Sequence, residues 1–375
     1  MGRWLISATV LAAGALSLSC LVDIDTSLIP GADAVLDGDG HRLDLATDAG
    51  DGPRDGPRDH DRDGASDHGT DGPGTLDHGV PSDTDKEGPT VCTWTKVTSG
   101  TSVELFDVHG TSSTDIWAVG QGGTVLHDGG SGWSAASSNT SVDLNGVWAL
   151  AASDVWVVGA AGTVAHYDGS SWAASSIANK PLNDAWGSAA NDVWAVGDGG
   201  TAMHWDGASW SSQSTPANVN LLGVWGSAAN DIWASGSSAV IVRYDGSSWV
   251  SVGGIPGHNY HGVSGRSKTA AWIAGRKSVG GINYPVAMEL SGASWVENDP
   301  NDSDVRLYAV WVDPASGEVW MTGRQGSAQG PIFRYDGNAW TKTHTAGAIL
   351  NGIWGTSACD LWAVGVGGTV LHRGP

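Results

Sequence analysis

The chain has 375 residues and a formal net charge of −22, with 40 acidic side chains against 18 lysines and arginines. Phosphate backbones are bound by clustered basic side chains, so this balance argues against a nucleic-acid partner and against attraction to anionic lipid surfaces. The other feature of the composition that needs an explanation is its 21 tryptophans.

The first segment has the form of an export signal. Arg3 precedes an apolar run over residues 4–19, which is too short to span a bilayer comfortably. We therefore expect residues 1–19 to be a signal peptide. Cys20 follows directly, as in the signals of exported bacterial lipoproteins, and this resemblance predicts lipidation of Cys20 and attachment to the outer membrane or cell surface. Ser17 stands where leucine is usual, so cleavage after Ala15, which leaves a soluble periplasmic or secreted protein, stays open.

Residues 20–91 are predicted to be a disordered linker. Between residues 31 and 90 there are 16 acidic and 5 basic residues, a balance of −11. Such strong self-repulsion with few apolar side chains favours an extended tether. Residues 37–44 resemble a calcium loop faintly but lack its alternating oxygen ligands and terminal glutamate. We expect no metal and no cofactor.

From residue 92 onward the sequence repeats with a period near 40 residues. The second tryptophan of each unit marks the repeat at Trp117, Trp156, Trp194, Trp233, Trp272, Trp320 and Trp362. In the third unit, alternating residues separated by Gly, Asn, Asp and Ser predict strands over residues 182–186, 192–196, 201–205 and 210–214. Such units cannot bury their faces alone, so they must stack. A radial arrangement gives an all-β, seven-bladed β-propeller over residues 92–375.

The ends of the repeat predict how the ring closes. The seventh unit stops at Pro375 without a fourth strand, whereas the segment around Trp94 precedes the first unit and has the form of one. This N-terminal strand should pair with residues 369–372 and complete the last blade. With Trp94 included, every unit then carries a fourth-strand tryptophan, the others being Trp133, Trp172, Trp210, Trp249, Trp295 and Trp340. Almost no tryptophan is left for a ligand cage.

Cys92 and Cys359 should lie at the same end of the seventh blade, in an oxidising compartment. We therefore predict a disulfide that closes the ring. The difficulty is that the second and fourth strands are not adjacent, and strand spacing alone would separate them by about 9 to 10 Å. The turn at residues 357–358 would have to bend inward.

Recurring polar residues are interpreted as structural. One third-strand position carries His127, His166, His204 and His372, with Arg243 and Arg334 in other blades. Equivalent positions are held apart around a ring, so they cannot converge on a metal ion. The residue before the second-strand tryptophan is Asp115, Asp154, Asp192, Asp231 or Asp360, with Glu318 in the sixth unit. We predict carboxylates that accept backbone N–H bonds in turns.

Motifs for hydrolysis are weak. There is no Gly-x-Ser-x-Gly or His-Glu-x-x-His motif, and we expect no pair of carboxylates that departs from the repeat in the inner strands. The hairpin at residues 167–172 resembles the Asp-box turn of sialidase-like propellers, with one residue fewer between Asp and Trp. In that family the box is a structural turn, so the resemblance implies fold and not activity. An arginine triad of the sialidase kind has no evident source.

The units at residues 144–172 and 350–372 follow the pattern Leu-Asn-Gly-Val-Trp-Gly, then Asp-Val-Trp-Ala-Val-Gly, then His-Tyr-Asp-Gly-Ser-Ser-Trp. The chain thus resembles exported bacterial propeller-repeat lipoproteins over about three quarters of its length. The resemblance implies a tethered propeller at the cell envelope, anchored at Cys20. It supplies no substrate and no catalytic residues.

The fifth and sixth units are irregular, with long turns over residues 275–284 and 323–330 and unusual connections at 257–261 and 297–304. Turns of these two kinds share one face of a propeller. We predict a mixed-charge binding face with aromatic anchors. Its candidate residues are Tyr260, His261, Arg276, Lys277, Tyr284, Asp302, Asp304 and Arg324. The alternative is that these are insertions tolerated in surface turns.

Two classes of function follow from this organisation. The first is a non-enzymatic, envelope-anchored binding or scaffold module for a protein or glycan. The second is a glycan-processing, sialidase-like hydrolase that uses the propeller pocket, which a cluster of non-repeat Glu, Asp, Tyr and Arg at the central mouth would favour. A rigid spacer is also open. We expect a monomer that contacts the membrane only through its N-terminal lipid.

Overall fold

The computed structural model describes residues 91–375. The predicted signal peptide, Cys20 and the linker up to residue 90 lie outside the described residues. The described chain folds into 28 strands arranged as seven four-stranded antiparallel sheets, joined in places by single 3-10 turns. The predicted seven-bladed β-propeller is therefore confirmed. Within residues 91–375, no helix has the length and apolarity needed to cross a membrane.

The chain begins with β1, Thr93–Val97, and then builds the first three blades in order. Blade 1 consists of β2 to β5, at Leu105–Ser112, Asp115–Gly120, Thr124–Asp128 and Trp133–Ser137. Blade 2 consists of β6 to β9, at Leu144–Ala151, Asp154–Gly159, Thr163–Tyr167 and Trp172–Ser176. Blade 3 consists of β10 to β13, at Leu182–Ala189, Asp192–Gly197, Ala202–Trp205 and Trp210–Gln213.

The remaining blades include the two irregular ones. Blade 4 consists of β14 to β17, at Leu221–Ala228, Asp231–Gly236, Ile241–Tyr244 and Trp249–Ser251. Blade 5 consists of β18 to β21, at His258–Ser267, Ala270–Val279, Ile282–Ser291 and Ser294–Glu297. Blade 6 consists of β22 to β25, at Val305–Val312, Val319–Gln325, Gly330–Tyr335 and Trp340–Ala346. Blade 7 contains β26 to β28, at Leu350–Ser357, Asp360–Gly365 and Thr369–Gly374.

The N-terminal strand closes the ring as predicted. Strand β1 pairs antiparallel with β28, and Trp94 lies opposite Arg373 while Val97 lies opposite Val370. The sheet order of blade 7 is accordingly β1-β28-β27-β26. The last blade therefore joins the two ends of the described chain, and separating them requires breaking a β-ladder.

The core lies between the blades. Each of seven apolar clusters combines residues of two successive blades. At each junction, the second-strand tryptophan of one blade meets the fourth-strand tryptophan of the next edge to face, with centroid distances from 5.2 to 6.2 Å. The pair Trp320–Trp94 at 6.2 Å is one of them, so the closing strand contributes the same contact as every other fourth strand. Edge-to-face pairs add stability beyond the apolar area they bury.

The first strands surround the central axis and interlock by size. A Cβ on Gly226 would lie 2.6 Å from the ring of Trp186 in the preceding blade, so only glycine fits beneath that indole. Gly187 and Gly265 stand in the same relation to Trp148 and Trp225. The packing of the first strands around the axis therefore depends on large residues of one blade lying against small residues of the next, as in other close-packed interiors.

The recurring Asp and His residues are structural, but their partners differ from the prediction. His127, His166, His204 and His372 each bond the preceding repeat Asp at 2.7 to 2.9 Å. Arg243 and Arg334 take this role with Asp231 and Glu318. The same aspartates accept from Ser or Thr hydroxyls and tryptophan Nε1. The prediction of backbone N–H donors was wrong because side chains of the neighbouring strands reach these carboxylates.

Cys92 and Cys359 are joined by a disulfide in the structure, with their Cα atoms 5.5 Å apart. This separation is within the usual range for a bridge. The turn before β27 thus comes closer to the start of β1 than strand spacing alone predicts. Formation of the bridge in the exported protein remains a prediction, tested below.

Candidate functional site

The propeller has two faces that differ in their connections. We call the face that carries the inter-blade connections and the turns between second and third strands the inter-blade face. The other carries the turns between first and second and between third and fourth strands, and we call it the opposite face. The irregular segments of blades 5 and 6 belong to the inter-blade face.

Three arginines of blades 5 and 6 lie together on the inter-blade face, and we call them the arginine group: Arg276, Arg306 and Arg324. Arg306 and Arg324 are directly opposite in the β22–β23 ladder. The buried amide of Asn283 lies between Arg276 and Arg306. Its oxygen accepts either from Arg276 Nη1 at 3.3 Å or, with the amide turned, from Arg306 Nη2 at 3.1 Å.

The arginine group has no carboxylate partner within residues 91–375. Among the described residues, none of the three guanidinium groups lies within ion-pair distance of an Asp or Glu. Arg324 instead donates from Nε to the backbone oxygen of Gly326 at 2.8 Å. Like charges opposite each other in a ladder are destabilising. The arrangement therefore leaves several charged N–H donors for an external anion. Arg306 belongs to this group although the sequence did not select it.

A groove of about 480 Å³ lies beside the arginine group. Lys277, Tyr284, Pro285 and residues 299–303 line it. The ammonium of Lys277 is paired with Glu297 and, at 2.8 Å, with Asp299. The groove thus brings together three predicted residues, Lys277, Tyr284 and Asp302, but the charge of Lys277 is already neutralised.

The two predicted aspartates serve the local structure. Asp302 forms an ion pair with Lys342 at 2.5 Å and accepts from Gln325 Nε2 at 3.1 Å. Asp304 is exposed with φ of 54°, and its backbone oxygen accepts from the Gly326 N–H at 3.1 Å. Asp302 therefore ties blade 6 together, and only the carboxylate of Asp304 faces solvent.

Tyr260 is not the exposed aromatic anchor that the sequence predicted. It is fully buried, and its hydroxyl accepts from the Ile255 N–H at 2.9 Å. The reason is its place in the repeat: Tyr260 occupies the first-strand core position that is leucine in the other six blades. The prediction placed Tyr260 in a surface turn. It was wrong because strand β18 begins earlier than the first strands of the regular blades and therefore includes this residue.

His261 lies at the central channel, not on the outer part of the face. Its ring meets Tyr308 edge to face at 5.3 Å. Burial first, and then the charges of Arg276 and Arg306, lower the pKa of His261 to about 4. The imidazole is therefore neutral at pH 7. His261 therefore lies both near the arginine group and at the wall of the channel.

Two carboxylates that the sequence prediction missed face the channel, Asp107 in blade 1 and Asp184 in blade 3. They replace the glycine or alanine found at this first-strand position in the other blades, so the expectation that no inner-strand carboxylate pair departs from the repeat was wrong. Asp107 accepts from Val108 and Val147 N–H, and Asp184 accepts from Ala185 and Val224 N–H, all at 2.8 to 2.9 Å. Each carboxylate thus links its blade to the next.

Burial shifts both carboxylates toward their protonated forms. It raises the pKa of Asp107 to about 6, against the lowering effect of the Val147 and Val108 N–H donors. Burial also raises the pKa of Asp184 well above its ordinary value, and the nearby charge of Asp107 adds to the rise. Two carboxylates in one narrow channel resist simultaneous ionisation. Aligning the seven first strands would have found them, because both break a glycine position.

Comparison with known proteins identifies the architecture. No protein-family model matches the chain, and a search of curated proteins gives no match. Among solved structures, YCF48 bound to D1 peptide is 16% identical with a TM-score of 0.60, over 75% of this chain and 95% of that one. The WD40 propeller of Doa1 is 11% identical with a TM-score of 0.61, over 76% and 97%. YCF48 from Cyanidioschyzon merolae is 17% identical with a TM-score of 0.58, over 75% and 99%. At these identities the likeness is one of fold.

Proposed function

We propose that this propeller is a non-enzymatic binding module that holds an acidic segment of a protein partner on the inter-blade face of blades 5 and 6. The observation that carries the proposal is the arginine group, three guanidiniums with no carboxylate partner among the described residues. Guanidinium forks bind carboxylates with paired, charge-assisted hydrogen bonds. An acidic partner would relieve the repulsion between Arg306 and Arg324.

The surroundings of the arginine group favour a protein over a glycan. The β19–β20 hairpin ends in Val279 and Ile282, which are opposite each other and 60% and 48% exposed. The adjacent groove is lined in part by Tyr284, Pro285 and Pro300. Apolar and aromatic groups beside arginine are the usual composition of the energetic centre of a protein interface.

A similar fold is known to accept a peptide. One structural neighbour, YCF48, has been seen bound to D1 peptide. This supports the proposal only through the fold, since that protein is 16% identical to the chain. The ligand class here is argued from the arginine group itself.

We place the module at the cell envelope, exported and anchored through Cys20 and the acidic linker. The support is the sequence of residues 1–91, with its apolar first segment, its cysteine at position 20 and its acidic linker.

The residues around the channel favour the hydrolase alternative, but the size and lining of its cavities argue against it. Asp107, Asp184 and Tyr308 do line the channel together with His261, on which the charge of Arg306 acts. However, the cavity that these residues share is about 150 Å³, below the roughly 300 Å³ of small-molecule sites. The wider cavity of about 300 Å³ on the side of the opposite face has no Glu, Tyr or Arg among the described residues that line it. Binding by the arginine group is the better supported function.

The test measures the affinity of the full chain for peptides of one length that carry increasing numbers of glutamates, by fluorescence anisotropy. We expect affinity to rise with glutamate number. The variant R276Q/R306Q/R324Q should lose about tenfold or more, because each charge-assisted hydrogen bond contributes about 1.5–3 kcal/mol.

The matched control is K96Q/R266Q/K268Q, which removes the same charge from exposed residues away from the arginine group. Its affinity should stay within about twofold of the wild-type chain at 0.15 M salt, where exposed charges beyond about 8 Å are screened. Equal losses of peptide affinity in the two variants, or peptide affinities that do not change with the number of glutamates, would refute the proposal.

A further inference from the structure

The channel of the propeller contains features that the binding of an acidic segment does not use. On the side of the opposite face it widens to a cavity of about 300 Å³. Its wall includes five first-strand indoles, which we call the tryptophan ring: Trp148, Trp186, Trp225, Trp311 and Trp354. Asp107 and Asp184 line both this cavity and the smaller one on the inter-blade side. The channel is therefore aromatic at one end and acidic at its middle.

The two carboxylates converge on one segment of blade 2. Asp107 Oδ2 lies 2.9 Å from the N–H of Val147. Asp184 Oδ1 lies 3.2 Å from the point where a Cβ of Gly146 would stand. The absence of a side chain at Gly146 thus leaves the space in which the Asp184 carboxylate lies, next to the Val147 N–H that Asp107 accepts. Each carboxylate oxygen retains acceptor capacity beyond its single backbone N–H.

Two histidines at the channel also have polar atoms without protein partners. The buried Nε2 of His261 has no hydrogen-bond partner among the described residues, and this side chain lines the same cavity as the two aspartates. His109 accepts the Ala149 N–H at Nδ1, at 3.2 Å, so in its neutral form the proton is on Nε2. Buried polar atoms are normally satisfied. The unpartnered His261 nitrogen is thus available to a polar group of a ligand.

The charge balance of the channel selects the class of ligand. The titratable side chains that line its two cavities are Asp107, Asp184, His109, His261 and Tyr308, and no Lys or Arg is among them. The described residues hold no group of three or more His, Cys, Asp or Glu placed to bind a metal ion. Indole faces attract organic cations.

We propose that the central channel binds a small organic cation, whose ammonium group lies between the carboxylates of Asp107 and Asp184 and whose apolar part lies against the tryptophan ring. Binding moves one proton from the carboxylate pair to solvent as the pair takes up the positive charge. The site is separate from the arginine group and does not depend on it.

The test titrates the full chain with n-butylammonium chloride, following heat and tryptophan emission, with n-butanol as the uncharged analogue and sodium chloride at equal ionic strength. We expect millimolar or tighter binding of n-butylammonium with a change in emission, and none with butanol or sodium. Because the pair is protonated below the pKa of Asp107, which is about 6, a proton leaves on binding in this range. Affinity should therefore rise by up to about tenfold per pH unit below pH 6 and level off above it, and at pH 5 buffers of different ionisation enthalpy should give different heats.

The variant D107N/D184N should lose at least tenfold in affinity for n-butylammonium, whereas D206N/D336N, with the same change of charge in exposed turns, should bind like the wild-type chain. The pH and butanol measurements need no variant, so they decide the matter even if D107N/D184N does not fold. Equal binding of butanol, affinity for n-butylammonium that is the same at pH 5 and pH 6, or no binding of n-butylammonium would overturn the proposal.

Discussion

Asp192 shows how one repeat residue connects three strands. Its carboxylate is hydrogen-bonded to Ser188, to Trp194 Nε1 at 3.0 Å and to His204 Nε2 at 2.7 Å, and the histidine ring stacks on Trp194 with centroids 4.3 Å apart. Serine and histidine bond the carboxylate separately, so this is no nucleophile-and-base arrangement. Recurrence of polar residues therefore indicates a structural role here.

Asp107 gives a prediction for stability against pH. Its pKa rises from an ordinary value of 3.8 to about 6 in the folded chain, so the folded state binds more protons between these values. The resulting stability is present below pH 3.8 and is lost as pH rises through about 6, with a total of about 3 kcal/mol. Relative to wild type, Asp107→Asn should become more stable by up to this amount between pH 4 and pH 7.5.

Urea unfolding of the full chain at several pH values measures this difference. The same stability difference at both ends of the range would mean that Asp107 is ionised as readily in the folded chain as in the unfolded one.

At the scale of elements, the first strands of adjacent blades pack together because a large side chain in one blade lies against a small residue in the next. Trp186 lies over Gly226, whereas the smaller ring of His109 lies beside Ala149, whose N–H it accepts at 3.2 Å. A large ring thus requires glycine in the next blade, and a smaller ring tolerates a methyl group.

This size exchange predicts a double-mutant result. Gly226→Ala places a methyl group 2.6 Å from the Trp186 ring and should destabilise the chain by about 1–3 kcal/mol. Adding Trp186→His, which copies the His109 and Ala149 pair, should make the Gly226→Ala change cost at least about 1 kcal/mol less. Additive effects in thermal or urea unfolding would show that these residues do not interact.

Much of the element structure was predictable from the sequence because each unit repeats the same alternating strand pattern and the same turn residues. Strands, turns and the recurring tryptophan positions follow from local alternation and period, and Trp94 is recognised as part of a fourth strand by the same pattern. Tyr260 was misplaced because tyrosine stands where the other six blades have leucine, although it follows Trp249 at the same 11-residue spacing at which Leu221 follows Trp210. Asp107 and Asp184 each break a glycine position of the first strand, but no local signal shows that the two carboxylates approach one another beside blade 2. The arginine group likewise depends on the packing of blade 6 against the blade 5 hairpin.

For the whole molecule, the closure of blade 7 links stability to the redox state. The bridge between Cys92 and Cys359 joins residues 267 apart in sequence. We expect mass spectrometry of exported, unreduced chain to find neither cysteine as a free thiol. Replacing both by serine should lower the free energy of unfolding by about 2–5 kcal/mol. Two free thiols in exported protein would contradict this.

The central claim is that the inter-blade face of blades 5 and 6 is the binding surface. A photo-crosslinking residue at Ser327 probes that face, and one at Asn338, exposed in the turn between the third and fourth strands of the same blade, probes the opposite face. With an acidic peptide at a concentration that saturates the wild-type chain, we predict crosslinking from Ser327 that the R276Q/R306Q/R324Q variant abolishes, and none from Asn338. Crosslinking from Asn338 alone, or equally from both positions, would contradict the account.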